Sequence, residues 1–456
     1  MMFQFPFYRS QIAQKSVPDV LSLFKPWIRF RKNFPRDPRQ RIFTFKEIFW
    51  LFLFQVLSPY TSCKGILKKA VISFNLTHHK NISMNTAAYC KARKRFPFKE
   101  LKKIFFSLVK QMNAFPQKHL LWLGRFVTIV DGTTATMPDT PLNQKRFPQT
   151  SRQKPGCGFP IVRLVVLFSL SVGSILNYSL ARYTVSEKTL FRRLFKNLSQ
   201  GNVVLGDRFF CSFCDVWALM QRQIDVVMRI GKNQQCRFQI VKRLGRKDHL
   251  IHWLKPSVRP LWINRKVWDI IPDKLLLRRI SYSLQIQGLR TEQISLVTSL
   301  IDHKRYPKNA FKELYHRRWK AELFLRDIKT TMGMDILSCQ SPDMVEKEIL
   351  FHLLAYNLIR LIMFQSGKRY HVSLDRISFK GALQTIIYAS LMFYSPYLKK
   401  GQRKEIKDLI FFMISQDRIY ERPGRREPRA IKRRPKRFQL LTQPRSIFRE
   451  DPHRGK

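Results

Sequence analysis

The sequence predicts an α/β protein: a mixed-sheet core preceded by a helical region, interrupted by a β-rich insertion and followed by a basic tail. Two observations carry this expectation. Short β-branched runs, such as FVTIVD ending at Asp131 and NVVL ending at Leu205, alternate with stretches of helical periodicity, the pattern of strands and helices stacked in layers. Between about Cys236 and Asp302 short β segments take over, and helical spacing resumes near Pro307.

Each element follows from local pattern. From Arg41 to Phe115 the spacing is helical, with a buried stretch near Phe43 to Leu57, a helix around Gly65 to Phe74 and another after Ser83. That last segment sets Lys91, Arg93, Lys94 and Arg95 beside aromatic positions, which suits a DNA-facing helix or a solvated basic face. The run ending at Asp131 precedes the turn-like Gly132-Thr133-Thr134, so its strand is expected to end at the acid. Ile161 to Leu170 and Ser174 to Arg182 read as a hairpin joined near Gly173. A helix at Glu187 to Leu198 leads to a strand at Asn202 to Leu205, closed by Gly206 and Asp207. A helix through Trp217 and Met220 and a strand at Val226 to Ile230 follow. Ser281 to Gln287 and Gln293 to Ile301 bracket a turn at Gly288. Val345 to Met363 and Ser378 to Tyr394 read as apolar helices, and Tyr420 to Lys456 as a basic, proline-rich tail that lies on phosphates.

The expected divisions are a helical DNA-binding domain over 1–118, a first part of the core over 119–235 and the insertion over 236–303. The second part of the core, with its own acidic helix, spans 304–400, and the tail 401–456.

Lysine and arginine number 85 against 30 aspartate and glutamate, a formal net charge of +55. Self-repulsion on that scale opposes compaction unless a polyanion is the partner, and nucleic acid is the obvious one. The opening MMFQFPFYRSQIAQK has no apolar secretory core and no cleavage site, so a cytoplasmic protein is expected. Ile48 to Leu57, the most apolar run, falls short of the roughly 20 residues that span a bilayer, so no membrane partner is expected. Seven scattered cysteines argue against a disulfide framework, and the lone CxxC of Cys211 and Cys214 has no second pair of zinc ligands, which leaves core packing.

The segment YHRRWKAELFLRDIK carries the chemistry. Tyr315, Arg318, Glu322 and Lys329 stand at offsets that, at about 100° per residue, put them near 0°, 300°, 340° and 320° on one narrow helical face. Leu314, Ala321 and Ile328 fall near 260°, 240° and 220° by the same steps, so an apolar stripe runs beside the polar one. Glu322 thus sits at the edge of a core, flanked by cations suited to phosphate and by a phenol donor. Together with the strand-end acids Asp131 and Asp207 it makes three carboxylates that suit two hard cations with oxygen ligands. Magnesium is the expected ion and manganese its substitute; two such ions about 3.5 to 4 Å apart promote in-line phosphodiester displacement.

These residues resemble the DDE transposases with an RNase H-like core, specifically the bacterial insertion-sequence-four family. The Tyr-(2)-Arg-(3)-Glu-(6)-Lys signature is matched by Tyr315, Arg318, Glu322 and Lys329. The aspartate motifs are matched by Asp131-Gly132-Thr133 and Asp207-Arg208-Phe209. The likeness runs from AAYCKARKRFP at Ala87 through Lys329 to the KRRPK of the tail. It implies an RNase H-like catalytic core, with cleavage at insertion-element ends and transfer of the 3′-hydroxyl into target DNA. It also implies metal ligation by Asp131, Asp207 and Glu322, and DNA contacts by Tyr315, Arg318, Lys329 and Arg208. Double-stranded DNA, as terminal repeats and target, is the implied partner, and a dimer on DNA the implied assembly, associated with the bacterial nucleoid. Members with a hairpin intermediate stack a flipped base on an aromatic of the insertion, and Trp253, Trp262 and Trp268 are all candidates. A weaker signal lies in Lys154, Gly156, Gly158 and Arg163, a basic, glycine-rich stretch that suggests a phosphate cradle. The alternatives are a nuclease on the same fold, which cuts without joining, and a catalytically inactive, transposase-derived DNA-binding protein.

Overall fold

The computed structural model describes residues 23–28, 30, 43–58, 62–78, 83–114, 120–284, 292–392, 400–420, 443, 444 and 447. In chain order the elements begin with α1 (Phe45–Leu57), α2 (Cys63–His78), α3 (Thr86–Arg95) and α4 (Phe98–Asn113). The strand β1 (Val127–Thr136) is followed by α5 (Pro141–Arg146), β2 (Ile161–Ser169), β3 (Ile175–Arg182), α6 (Glu187–Leu194), β4 (Val203–Gly206), α7 (Phe213–Met220) and β5 (Asp225–Arg229). Next come α8 (Lys232–Gln235), β6 (Phe238–Gly245), β7 (Asp248–Leu254), α9 (Arg265–Ile270), β8 (Lys274–Leu284) and β9 (Glu292–Thr298). The chain closes with α10 (Lys308–His316), α11 (Lys320–Arg326), α12 (Pro342–Arg369), α13 (Phe379–Met392) and α14 (Lys400–Gln416). They divide into two compact units, Met1–Leu108 with Glu346–Ile419, and Val109–Val345 with Tyr420–Lys456.

The first unit is helical and built around aromatic rings. Thr44 starts α1 with a capping box: Glu47 N–H donates to its hydroxyl, and its own N–H donates to Glu47 Oε2 at 2.6 Å. Phe351 of α12 packs against Phe52 at 4.4 Å, Phe49 at 5.5 Å and Phe96 at 6.0 Å between centroids. Of the basic residues expected to face DNA from α3, Arg93 is buried, donates to Gln55 Oε1 at 2.9 Å and stacks over Phe52, so it serves the core. Lys91, Lys94 and Arg95 stay exposed. α12 is long and apolar enough to cross a bilayer by composition, yet 94% of that window is buried inside the fold, as befits a core helix. The chain from 401, expected as part of the tail, is helical as far as Gln416; nearly all of the remaining tail lies outside the described residues.

The second unit holds a single nine-stranded sheet in the order β3-β2-β1-β4-β5-β9-β8-β7-β6. β1, β2 and β3 form an antiparallel meander, and β4 and β5 run parallel to β1, which is the RNase H-like arrangement. The β2–β3 turn closes on Gly173, whose φ of +68° suits a residue without a Cβ. The insertion strands join this same sheet: β9 pairs antiparallel with β5, and β8, β7 and β6 follow outward. Apolar residues of α6 and α7, including Leu190, Phe191, Leu194 and Val216, cover one face together with Val130, Val165 and Val204.

β1 does not end at Asp131. Its pairing with β2 runs on to Thr136 opposite Ile161, so Gly132-Thr133-Thr134 is strand rather than turn. The antiparallel partner supplies ladder hydrogen bonds that outweigh the turn preference of the glycine.

Candidate active site

β4 is parallel to β1, with Thr128 opposite Val204 and Ile129 opposite Leu205. Continuing this register by two residues aligns Asp131 with Asp207, the first residue beyond the end of β4. β4 stops at Gly206, and the chain turns as Phe209 N–H donates to Asp207 Oδ1 at 2.8 Å. The turn needs a small residue before it: a Cβ on Gly206 would stand 3.2 Å from Val130 Cγ1. Asp131 Oδ1 accepts from the N–H of Gly132 at 2.8 Å. Beyond Val130 the β4-side edge of β1 therefore meets no strand among the described residues until Thr136 bridges to Ile336. This opening lies beside Asp131 and Asp207.

The third acid arrives from the segment Lys308–Thr331, which is one helical path but not one regular helix. A 3-10 turn at Arg317–Trp319 separates α10 from α11, and a π turn at Asp327–Thr331 follows. The uniform wheel expected from Tyr315 to Lys329 is thus overwound at one point and underwound at another. The adjacent turn survives intact, since Arg318 Nη2 donates to Glu322 Oε1 at 3.0 Å. Phe324 of α11 anchors the helix on the sheet against Phe168 at 5.4 Å between centroids.

The charges sense one another. Burial raises the Asp131 carboxyl to about 6; the Gly132 N–H and Arg318 oppose that rise, and Asp207 and Glu322 add to it. Burial also works against the Arg318 charge, but Tyr315, Glu322 and Asp131 outweigh it. Tyr315 is buried at 3% exposure, which pushes its phenol up to about 12, and the Arg318 guanidinium lies 5.9 Å from its ring centroid. Lys329 lies half-buried in the π turn, and Arg208 is exposed beside Asp207. No group of three His, Cys, Asp or Glu side chains among the described residues is close enough, as placed, to grip an ion. The donors are nonetheless hard carboxylate oxygens, and their mutual repulsion in a part-buried cleft is what a divalent cation relieves.

A fourth carboxylate, which the sequence reading passed over, reaches this region from α6. Glu187 lies over Gly132, where a Cβ would come within 2.5 Å of its Cδ. Burial raises its carboxyl, Arg163 counters the rise and Asp207 reinforces it. An acid in a helix's first turn is so common that spacing alone gave no signal.

Among the weaker candidates, Trp253 is buried at 2% exposure between Phe213 and Phe238. Trp268 is half-buried under Lys255, and Trp262 is 44% exposed with the Arg192 guanidinium over it at 3.8 Å. The glycine-rich stretch is tied to Gln149. Gly158 N–H donates to Gln149, the carbonyls of Gln153 and Lys154 accept from Gln149, and Arg163 lies on β2.

The family model described as the transposase DDE domain matches residues 122–358, more than half of the 456. The chain belongs to the DDE transposases. That match contains all three acids and the Tyr-Arg-Glu-Lys signature. The transposase InsG of insertion sequence element IS4 from Escherichia coli K12 is 26% identical over 363 residues, covering 77% of each chain. The cryo-EM structure of a piggyBac transposase synaptic complex with hairpin DNA aligns over 90% of this chain and 87% of its own, with 11% identity and a TM-score of 0.45. DDE transposases work with divalent metal ions, and this transposase brings carboxylates suited to them.

Proposed function

We propose that Asp131, Asp207 and Glu322 together hold a pair of divalent ions, magnesium with manganese as substitute, and that the protein cuts insertion-element ends and joins them to target DNA. The observation that supports this reading is the crevice opened where β4 leaves β1, flanked by Asp131 and Asp207, within a chain segment that matches the transposase DDE domain and includes Glu322. When bound, the ions would activate a water or a 3′-hydroxyl and stabilise the leaving oxygen. The protein's own groups do the rest. Arg318, a planar cation inside the cleft, is placed to exchange its bond to Glu322 for one to a terminal phosphate, which would release Glu322 toward the aspartates. The Tyr315 ring lies beside that guanidinium at 5.9 Å, and Lys329 and the exposed Arg208 would extend the positive surface along the backbone of the DNA. The net charge of +55 supports double-stranded DNA, both element ends and target, as the partner within the cytoplasm. Action on two ends at once favours a dimer on DNA. If a hairpin forms, Trp262 is the indole in the insertion with an exposed ring, whereas Trp253 is enclosed.

The test is strand transfer. Full-length protein, magnesium, a labelled element end with a free 3′-hydroxyl and a target plasmid should yield joined product. Cleavage of uncut ends without any joining would instead identify a nuclease, and retention of DNA with neither reaction a binding protein.

A further inference from the structure

We infer that Glu187 is a fourth carboxylate of this site, seated over Gly132 next to Asp131 on the α6 side of the sheet and helping to hold one of the divalent ions. The inference rests on the three-carboxylate reading above and adds a ligand that this reading does not contain.

Successive residues of a strand face opposite sides, so Asp131 points toward α11 while Gly132 faces α6. On that second side there is no side chain at 132, and the Glu187 carboxylate fills the space. A Cβ on Gly132 would meet its Cδ at 2.5 Å, Oε2 at 2.6 Å and Oε1 at 2.9 Å. The Gly132 backbone is not in the left-handed region, so glycine is not required there for its conformation. What requires it is the close approach of a carboxylate.

The ordinary duties of a first-turn acid do not account for this placement. Ser186 caps α6, its hydroxyl accepting from Thr189 N–H at 3.2 Å. Among the described residues no hydrogen bond reaches the Glu187 carboxylate, and its ion pair with Arg163 is long, at 3.9 Å. Arg163 is committed elsewhere, donating to Val185 O at 2.8 Å and stacking on Tyr183 at 4.3 Å. A half-buried carboxylate without hydrogen bonds, seated over the glycine that follows Asp131, has the environment of a waiting cation ligand.

The experiment measures manganese binding to full-length protein by electron paramagnetic resonance of the free ion, alongside E187Q, D131N, G132A, E187A and the G132A/E187A double variant. E187Q should weaken one manganese position tenfold or more, and D131N should weaken binding at least as much. G132A should act by displacing the carboxylate, so it should add almost nothing in the E187A background. Wild-type binding in E187Q together with lost binding in D131N would overturn the role of Glu187 and leave the three-carboxylate reading standing. Wild-type binding in both would overturn that reading as well. Full additivity of G132A and E187A would also overturn the inference, because Gly132 would then be needed for something other than Glu187. Circular dichroism of E187Q, a near-isosteric change, separates lost ligation from lost folding.

Discussion

Arg318 donates to Glu322 across 3.0 Å within one helical turn, so the element that delivers the third acid also delivers the cation that neutralises it. Glu322 is exposed while Arg318 is buried, and a pair with one partner in water contributes about 0–1 kcal/mol to stability. On the function proposed above, the two residues are held in a resting arrangement that an arriving phosphate would reorganise.

Arg318→Ala should lower end cleavage at least tenfold and weaken end binding, whereas Arg318→Lys, which keeps the charge and loses the planar fork, should recover only part of the activity. Gel-shift titration and single-turnover cleavage of a labelled end check both outcomes. Full activity in Arg318→Lys would remove the bidentate role.

Asp131 sets a pH dependence whose sign is fixed. Its carboxyl is raised from 3.8 to about 6, so the folded protein keeps a proton that the unfolded chain loses. Stability from this group is complete below about pH 4, and it is lost as pH rises toward and through 6. Asp131→Asn removes the cost of ionisation and should stabilise the protein at pH 7 by about 1–2 kcal/mol after allowance for solvent screening. Denaturant midpoints at pH 5 and pH 7 measure it. Metal-dependent cleavage should fall below about pH 6 for the same reason, since ligation needs the carboxylate.

Gly206→Ala places a methyl against Val130 at 3.2 Å and Phe210 at 3.6 Å, a tight fit at the hinge that aims Asp207. Overpacking of this kind costs about 1–3 kcal/mol, and a thermal melt should show the corresponding fall in Tm.

Asp248 and Arg278 form a buried bidentate pair at 2.8 and 2.6 Å, and Arg278 also donates to Tyr306 O at 2.7 Å, tying insertion strands to the chain that leads into α10. Asp248→Asn strands a buried guanidinium and should destabilise by about 3–5 kcal/mol in urea unfolding. Replacing both partners by Leu and Met should cost much less.

How much of this was legible beforehand depended on how local the signal was. The β-branched runs FVTIVD and NVVL announced two of the strands, because period and residue type act within a few positions. The extent of β1 was not legible. Gly132-Thr133-Thr134 favours a turn locally, and the pairing that overrides it comes from Ile161 to Ser169, about thirty residues away. The helix carrying Glu322 was legible as a helix, but its 3-10 and π turns were not, since a uniform 100° step cannot register them. Glu187 was visible as the start of a helix and not as a neighbour of Gly132; that juxtaposition exists only once β3 and α6 fold across β1.

The most direct measurement is cleavage of a labelled element end in magnesium by Asp131→Ala, Asp207→Ala and Glu322→Ala, each assayed beside its DNA binding. The expected result is that all three lose cleavage by several orders of magnitude while binding the end nearly as the parent protein does, because the cations remain. Continued cleavage by any one of them would contradict the shared metal site.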